Sequence, residues 1–568
     1  MTAFDWIVLV GTLSFIVLYG ALKTRGSANL DQYFRGGNTL AWPTIGLSIM
    51  ATQASAITFL STPGQAYEDG LRFVQFYFGL PLAMIVISAV FVPIYYKLHV
   101  FTAYEYLEHR FDVRVRYLGA FLFMIGRGSA AGITIYAPAI ILSSILGWPL
   151  GTTCVGMGAT VILYTVVGGS HAVSQTQKQQ MIVMLGGIVL ALALLVRALP
   201  ESVSLTHAVQ LAGALDRINP VSFDFDLSTR YNFWSGITGG FFLALAYFGT
   251  DQSQVQRYLA GRSVAESRLG LLFNGIFKVP MQFAILSTGV LLFVFHLFTQ
   301  PPIFFNAPLL ERVRDTEHAA ALADLERRYA EAFVVRRAAA DHYVAALAVD
   351  AGLPEAKAAL RQAAAEVSSL RADARALLRR AIPDAATEDA DYVFLGYVLQ
   401  HVPKGLVGLL IAVIFCAAMS STSSELAALG STSTLDFYLR MRRREPSPAR
   451  DLRISKLFTA LWGLVAVSFA LFASLLDNLI EAVNILGSLF YGTVLGMFLV
   501  AFFLKRVGAT AVLLGALCAQ TVVLVLFFAS DLGFLWYNVV GSAIVVGVAS
   551  VVQTLRGSER SVRDPPER

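Results

Sequence analysis

The chain has 568 residues, of which 56% are hydrophobic and only 14% are charged, and its mean hydropathy is +0.64. A soluble globular protein of this length could not hide so much apolar surface in one core, so the composition excludes that class. The net charge is +5, and we assign the excess to loops between apolar runs rather than to a nucleic-acid-binding patch. The composition therefore predicts an all-α polytopic membrane protein.

Apolar runs long enough to cross a bilayer predict about thirteen transmembrane helices. Lys and Arg are concentrated in every second loop between these runs, which places the N-terminus outside and the C-terminus in the cytoplasm of a multi-pass plasma (inner) membrane protein. The runs lie near residues 5–23, 41–67, 72–98, 115–146, 150–168, 178–198, 231–249, 267–299, 404–440, 453–476, 480–504, 508–529 and 533–554.

Residues 306–391 interrupt the membrane pattern. This segment is rich in Ala, Arg and Glu, and Gly352-Leu353-Pro354 separates two helical stretches, which predicts a helical hairpin. The alternation of loops places the hairpin outside the cytoplasm, because long loops are translocated largely regardless of their charge. Two interpretations stay open, namely a solvated hairpin on the outer face or a part in gating or partner docking.

Two predicted helices are interrupted at matching positions in the two halves of the chain. The helix at 41–67 carries a polar stretch at 52–55, and the helix at 231–249 carries a group of glycines that begins at Gly236. Each of these helices is followed by four more, so the sequence predicts a 5+5 inverted-repeat core with a binding site at its centre.

The predicted organisation follows from these elements. In chain order it comprises a first transmembrane helix and cytoplasmic loop at 1–40, inverted repeat 1 at 41–198, inverted repeat 2 at 231–504 with the extracytoplasmic hairpin 306–391 inserted, two C-terminal transmembrane helices at 505–555, and a cytoplasmic tail at 556–568.

The helix at 404–440 carries a dense cluster of hydroxyl groups. Ala417, Ser420, Ser421 and Ser424 recur at spacings of three and four residues, so they share one helical face. Hydroxyls inside a membrane need polar partners, and a hard cation such as sodium binds oxygen ligands. The pattern indicates either a sodium site or a packing seam of small residues that lets a neighbouring helix approach closely.

Four further motifs are informative when they are taken together. They are GGSHAVSQTQKQQM at 168–181, GTDQSQVQRYLAGRS at 249–263, GSTSTLDFY at 430–438 and VNILGSLFYGTVLGMF at 483–498. Through these motifs the chain resembles the sodium:solute symporter family over nearly its whole length, except for 306–391. The resemblance implies an inverted-repeat fold of the leucine-transporter type.

The resemblance also implies a sodium site between backbone carbonyls of the broken helix and hydroxyls of the hydroxyl-rich helix. Matched to this chain, the ligands are Ala51, Ala54, Ala417, Ser420 and Ser421.

Some members of the family bind a second sodium ion, for which Ser423 and Ser424 supply the matching hydroxyls. The acidic partner of that site is replaced here by Gln177. A neutral amide offers one oxygen and no charge, so we expect this second site to be weak and one sodium to move per cycle.

The resemblance places a solute cavity among residues of several helices. These residues are Gln53, Thr58, Gln75, Tyr77 and Asn484, with Tyr247 and Phe248 at an inner gate. The polar contacts that galactose carriers use are absent here, which argues against a galactose-like solute. Asp251 is expected as a further polar contact of the inner gate.

Arg127 is a charged residue deep in a predicted membrane span. An unpaired guanidinium there is costly, so the side chain must face the interior and find a partner. One interpretation is that it binds a solute carboxylate, for which its planar fork is suited. The other is a structural ion pair or hydrogen bonding to a neighbouring helix.

Taken together, the sequence predicts a sodium-coupled symporter that imports a small polar organic solute by alternating access, with Na+ as the coupling ion. We expect a monomer in the lipid bilayer and no enzymatic activity, because the eight histidines are scattered and form no catalytic grouping with Cys or carboxylates. The alternative is a membrane solute sensor, or a non-coupled channel, built on the same fold.

Overall fold

The structure is a computed structural model that describes residues 1–23, 33–34, 38–349, 351–383, 387–442, 447–472 and 479–556. The described chain is built from helices, and ten helical stretches in it are long and apolar enough to cross a membrane. The chain is therefore a multi-pass membrane protein. The count of thirteen helices, the orientation of the termini and the inverted repeat stay predictions.

The helices of the described residues are numbered in chain order. They are α1 (Ala3–Lys23), α2 (Trp42–Gln53), α3 (Ala56–Asp69), α4 (Leu80–Val86), α5 (Val92–Lys97), α6 (Ala103–Arg110), α7 (Val113–Leu146), α8 (Leu150–Ala198), α9 (Leu205–Ala214), α10 (Gly240–Thr250), α11 (Gln252–Leu259), α12 (Val264–Phe298), α13 (Ala307–Arg314), α14 (Ala319–Val349), α15 (Leu353–Ala381), α16 (Ala390–His401), α17 (Leu406–Thr432), α18 (Leu439–Met441), α19 (Pro448–Phe472), α20 (Leu479–Phe503), α21 (Ala509–Ala529) and α22 (Leu535–Arg556).

The first predicted interruption lies between α2 and α3. Helix α2 ends at Gln53. Its C-cap Ala54 has φ and ψ of −81° and 81°, which are not helical, and Ser55 is extended before α3 begins. A 3₁₀ segment, Gly70–Tyr77, follows α3 and leads to α4. The break leaves backbone groups at the end of α2 and the start of α3 without partners inside their own helices.

The second interruption is not at the glycines, and that detail of the sequence prediction was wrong. The helix breaks after Thr250 at Asp251, which is extended and caps α11 by accepting a hydrogen bond from the Ser253 amide at 2.8 Å. Aspartate is a strongly preferred N-cap residue, so it signals the start of a new helix, which a search for glycine overlooks.

The glycines of that helix serve close packing instead. Gly236 and Gly239 lie in a π-helical turn, Ser235–Gly239, which runs into α10 at Gly240. A methyl group on Gly236 would overlap the carbonyl oxygen of Gln75, so the backbone of this turn lies directly against the 3₁₀ segment.

Helix α8 is broken at Gly169, directly after the apolar run 150–168 that the sequence predicts as a separate helix from the run 178–198. Gly169 has φ 64° and ψ −177°, a conformation that glycine adopts without strain, and helical geometry resumes well before residue 178, where the sixth apolar run had been expected to begin. The helical residues before 178 are polar, which is why the hydropathy pattern did not assign them to a membrane helix. Ser174, Thr176 and Gln177 are nevertheless buried inside the protein.

The described residues of 307–381 form α13, α14 and α15, which lie outside the membrane-spanning stretches. Helices α14 and α15 pack against each other on either side of Gly352, which has φ 69°. Together with α13 they enclose a small hydrophobic cluster of their own around Tyr329 and Val367. The predicted tail 556–568 lies outside the described residues, apart from Arg556, and so does most of the loop after α1.

Candidate ion and solute site

The last turn of α2 is hydrogen-bonded to the hydroxyl-bearing face of α17. The hydroxyl of Ser420 donates to the carbonyl oxygen of Ala51 at 2.8 Å, and the hydroxyls of Thr52 and Ser424 lie 3.1 Å apart. All four residues are buried. The hydroxyl face of α17 therefore lies against the broken helix, where carbonyl oxygens are released from helical pairing.

The other expected sodium ligands lie in the same region. The hydroxyl of Ser421 donates to the carbonyl of Ala417, one turn earlier on α17, at 2.9 Å, and Ala54 is the C-cap of α2. None of the five candidate ligands is more than 1% exposed. Their oxygen atoms belong to neutral carbonyl and hydroxyl groups, and oxygen is the ligand that a hard cation prefers.

The side-chain amide of Gln177, in α8, lies among the hydroxyl groups at the contact between α2 and α17. Its amide nitrogen donates to Ser424 Oγ at 2.7 Å and to Thr52 Oγ1 at 3.0 Å. The same nitrogen lies 3.1 Å from both the hydroxyl and the carbonyl oxygen of Ser420, while the amide oxygen accepts from the Ser48 hydroxyl. A hydrogen-bond donor thus stands where a second cation would need oxygen ligands.

Ser423, the other hydroxyl of the expected second site, turns away from this group. Its oxygen donates to the carbonyl of Ser420 at 3.2 Å, within α17. The two serines of the weak second site therefore have different surroundings, Ser424 in the amide network and Ser423 on its own helix.

A cleft with about 830 Å³ of empty space, part of it open to solvent, lies beside the hydroxyl face. Seven of the eight residues expected to bind solute line this cleft, together with Ser421 of the expected sodium site. The seven are Gln53, Thr58, Tyr77, Arg127, Tyr247, Phe248 and Asn484.

Gln75 is the exception, because it does not line this cleft. Its amide nitrogen donates to the carbonyl of Tyr231 at 3.0 Å, and its amide oxygen accepts from the Ser222 amide at 3.0 Å. The 3₁₀ geometry of Gly70–Tyr77 turns this side chain toward the loop that precedes α10, whereas Tyr77 faces the cleft.

Arg127 lies at the centre of a buried charge cluster on the cleft wall. Its Nε donates to Asp251 Oδ2 at 3.0 Å, and its Nη1 donates to Glu425 Oε1 at 3.0 Å. Its Nη2 donates to both Asp251 and the Tyr491 hydroxyl, which in turn donates to Asp251 at 2.9 Å. Asp251 is thus held at the helix break by Arg127 rather than free at a gate.

Glu425 and Tyr491 are the polar residues of the cleft that sequence reasoning missed. Both line the cleft, and Glu425 lies one helical turn after Ser421 on α17. An ionisable residue inside an apolar span is itself a signal of function, so the spacing that selected the serines would have selected Glu425 as well.

The chain matches the model of the sodium:solute symporter family over residues 33–323 and 369–519. The chain belongs to this family. Its relatives include the human sodium/iodide cotransporter, which is 28% identical over 88% of this chain and 65% of its own length. The sodium/sialic acid symporter SiaT of Proteus mirabilis (strain HI4320) is 26% identical over 97% of this chain and 95% of its own length.

A solved structure supports the fold of this chain. It is described as the substrate-bound outward-open state of a Na+-coupled sialic acid symporter, and it covers 99% of this chain and 100% of its own with a TM-score of 0.77 at 23% identity. The relatives named here are transporters, which places the chain with transporters rather than with an enzyme family.

The family match leaves out residues 324–368, the distal part of α14 and α15, but includes the base of α15. There Arg371 pairs with Asp389 at 2.9 Å and with Glu68, in the last turn of α3, at 3.3 Å, and Arg375 pairs with Glu68 at 3.0 Å. Burial lowers the pKa of Arg371, but the carboxylates of Asp389 and Glu68 outweigh it and raise the pKa, so the guanidinium stays charged. The insertion is therefore connected by ion pairs to α3, the second half of the broken helix.

Proposed function

We propose that this chain is a sodium-coupled symporter that imports a small polar organic solute by alternating access. The observation that carries the proposal is the contact between Ser420 of α17 and Ala51 of the broken helix α2, next to the cleft. Membership of the sodium:solute symporter family supports the same conclusion.

One sodium ion is proposed to bind between α2 and α17. Its ligands are the carbonyl oxygens of Ala51, Ala54 and Ala417 and the hydroxyls of Ser420 and Ser421. Ser421 also lines the solute cleft, so ordering of this residue by the ion would prepare the cleft for solute. A membrane potential supplies about 2.3 kcal/mol per charge per 100 mV to drive such a cycle.

The solute is proposed to bind in the cleft lined by Gln53, Thr58, Tyr77 and Asn484, with Tyr247 and Phe248 on the side of α10. The relatives are named for iodide and sialic acid, so their names do not fix one solute class for this chain.

The proposed topology follows the loop charges. The N-terminus and the hairpin 306–391 lie outside, the C-terminus lies in the cytoplasm, and the monomer spans the plasma (inner) membrane.

Sodium binding tests the proposal directly. The melting temperature of the purified protein should rise with sodium chloride but not with potassium chloride, because only the folded state holds the site. Ser420→Ala should raise the sodium concentration for half-maximal stabilisation about tenfold, the effect of losing one direct ligand. The matched control is Ser431→Ala, since that hydroxyl donates only to Ala428 of its own helix at 2.8 Å.

Transport is tested in proteoliposomes with a solute that stabilises the protein in sodium. An inward sodium gradient should drive accumulation of this solute above its external concentration. Equilibration without accumulation would indicate a channel instead, and binding without any flux would indicate a sensor.

A further inference from the structure

Glu425 has one carboxylate oxygen that the charge cluster does not use. Its Oε1 accepts from Arg127 at 3.0 Å, whereas its Oε2 is buried and accepts no hydrogen bond from any described residue. The residue is only 5% exposed and lines the cleft. Thr134 also lines the cleft beside this carboxylate, but its hydroxyl donates to Ala130 of its own helix at 3.1 Å.

The guanidinium of Arg127 is nearly saturated by protein groups. Four of its five N–H groups are used by Asp251, Glu425 and the Tyr491 hydroxyl. A solute carboxylate that approached Arg127 would therefore displace one of these partners and would lie next to two carboxylates. The geometry indicates that Arg127 pairs with acidic side chains of the protein rather than with a solute anion.

The cluster also has an excess of negative charge. When both carboxylates are ionised, Asp251 and Glu425 contribute two negative charges against the one positive charge of Arg127. Among the described residues that line the cleft, Arg127 and Glu425 are the charged side chains, and Asp251 joins them through its ion pair with Arg127. An isolated charge excess in the membrane interior is costly unless a cation balances it.

The walls of the cleft suit an organic cation. Phe76, Tyr77, Tyr247, Phe248 and Tyr491 line it, and Arg127 itself lies 5.1 Å from the ring centre of Tyr247. Aromatic faces attract ammonium groups electrostatically. Aromatic walls, a negative charge and a free carboxylate oxygen occur together on one surface.

We infer that the solute carries an ammonium group and that this group docks on the free carboxylate oxygen of Glu425. The class includes small amines and zwitterionic amino acids, the latter with their carboxylate directed away from Arg127. This inference rests on the proposed function, since it names the chemistry recognised by the same solute cleft.

The test uses matched pairs of solutes that differ in an ammonium or a hydroxyl group at one position. The pairs are alanine and lactate, serine and glycerate, β-alanine and 3-hydroxypropionate, and ethanolamine and ethylene glycol. Stabilisation of the purified full chain is titrated with each solute in sodium chloride and in potassium chloride. The ammonium member should bind about tenfold or more tightly than its hydroxyl partner in at least one pair, because a charge-assisted hydrogen bond is lost in the partner.

Glu425→Gln should abolish this preference, because the amide is isosteric and Arg127 keeps Asp251 as its partner. The matched control is Asp436→Asn. Asp436 is a buried carboxylate in the π-helical turn Ser433–Tyr438 that follows α17, it pairs with Arg116 at 2.7 Å, and it is not among the residues that line the cleft. The comparison of pairs on the unmodified chain does not depend on whether either variant folds.

Each outcome has one meaning. Failure of all ammonium solutes to bind, or equal binding of the two members in every pair that binds, overturns the inference. Loss of sodium affinity in Glu425→Gln with the ammonium preference intact would make Glu425 an ion ligand and also overturn it. Ammonium-selective binding that is equal in sodium and potassium would instead overturn sodium coupling and leave the recognition at Glu425 standing.

Discussion

The amide nitrogen of Gln177 lies 2.7 Å from the hydroxyl oxygen of Ser424. An N–H group here points at an oxygen that a cation would otherwise attract, so the network satisfies its hydroxyls without an ion. This relationship gives a physical basis for the expectation of one sodium per cycle.

Replacement of Gln177 by Asp should create a second sodium dependence. The shorter carboxylate removes the amide donor, adds a negative charge beside Thr52 and Ser424, and leaves space that a cation can fill. We expect the Hill coefficient for sodium in solute uptake to rise from about 1 to about 2. Adding Ser424→Ala to this variant should return the coefficient to about 1, and a wild-type value near 2 would refute the one-ion model.

Substitutions in the charge cluster should lower the stability of the protein by different amounts. Arg127→Gln leaves Asp251 and Glu425 buried without a counter-charge, which should lower the free energy of unfolding by about 3–5 kcal/mol. Glu425→Gln removes the excess charge and should cost about 1 kcal/mol or less. Thermal unfolding of the purified variants measures both, and equal destabilisation by the two would contradict the assigned charge balance.

Asp251→Asn completes this series as a double-mutant cycle. In the Arg127→Gln background the second substitution should restore part of the lost stability, because it removes one of the two uncompensated charges. Additive effects of the two substitutions would show that Arg127 and Asp251 are not coupled.

The position of the hydroxyl face was predictable because helical spacing alone places Ser420 and Ser421 on one surface of α17. The partner of Arg127 was not predictable in the same way. Glu425 is 298 positions away in the chain, and only tertiary structure brings the two side chains together. Ion pairs between distant segments leave no local pattern in a single sequence.

The break at Asp251 and the turn of Gln75 were missed for a different reason. Glycines near Gly236 drew the predicted break toward them, although their small size serves packing against the 3₁₀ segment. Gln75 is polar and adjacent to the cleft in sequence, but its direction depends on the 3₁₀ twist, which the hydrophobic pattern does not report.

The close contact at Gly236 predicts a sharp stability difference between two glycines. Gly236→Ala places a methyl group into the Gln75 carbonyl and should destabilise the protein by about 1–3 kcal/mol or more. Gly156→Ala is the matched control, because nothing lies within 4 Å of its added methyl group in α8. The control should be neutral or stabilising by up to about 1 kcal/mol, since Ala favours the helix. Similar melting temperatures for the two variants would show that the π turn yields to the added methyl group.

The hairpin contacts predict that the base of α15 restrains the end of α3. Glu68→Gln removes the carboxylate that pairs with Arg371 and Arg375, so the last turn of α3 should open more readily. A partly buried charge-assisted contact of this kind is worth about 1–2 kcal/mol, which corresponds to amide hydrogen exchange about tenfold faster in that turn. Glu331→Gln, in the exposed pair with Arg327 on α14, is the matched control and should leave exchange in α3 unchanged.

Because α3 is one half of the broken helix beside the solute cleft, faster exchange in Glu68→Gln accompanied by altered sodium-dependent uptake would give the hairpin a part in gating. Unchanged exchange in both variants would show that the hairpin does not restrain α3 and would favour the solvated hairpin without a part in gating.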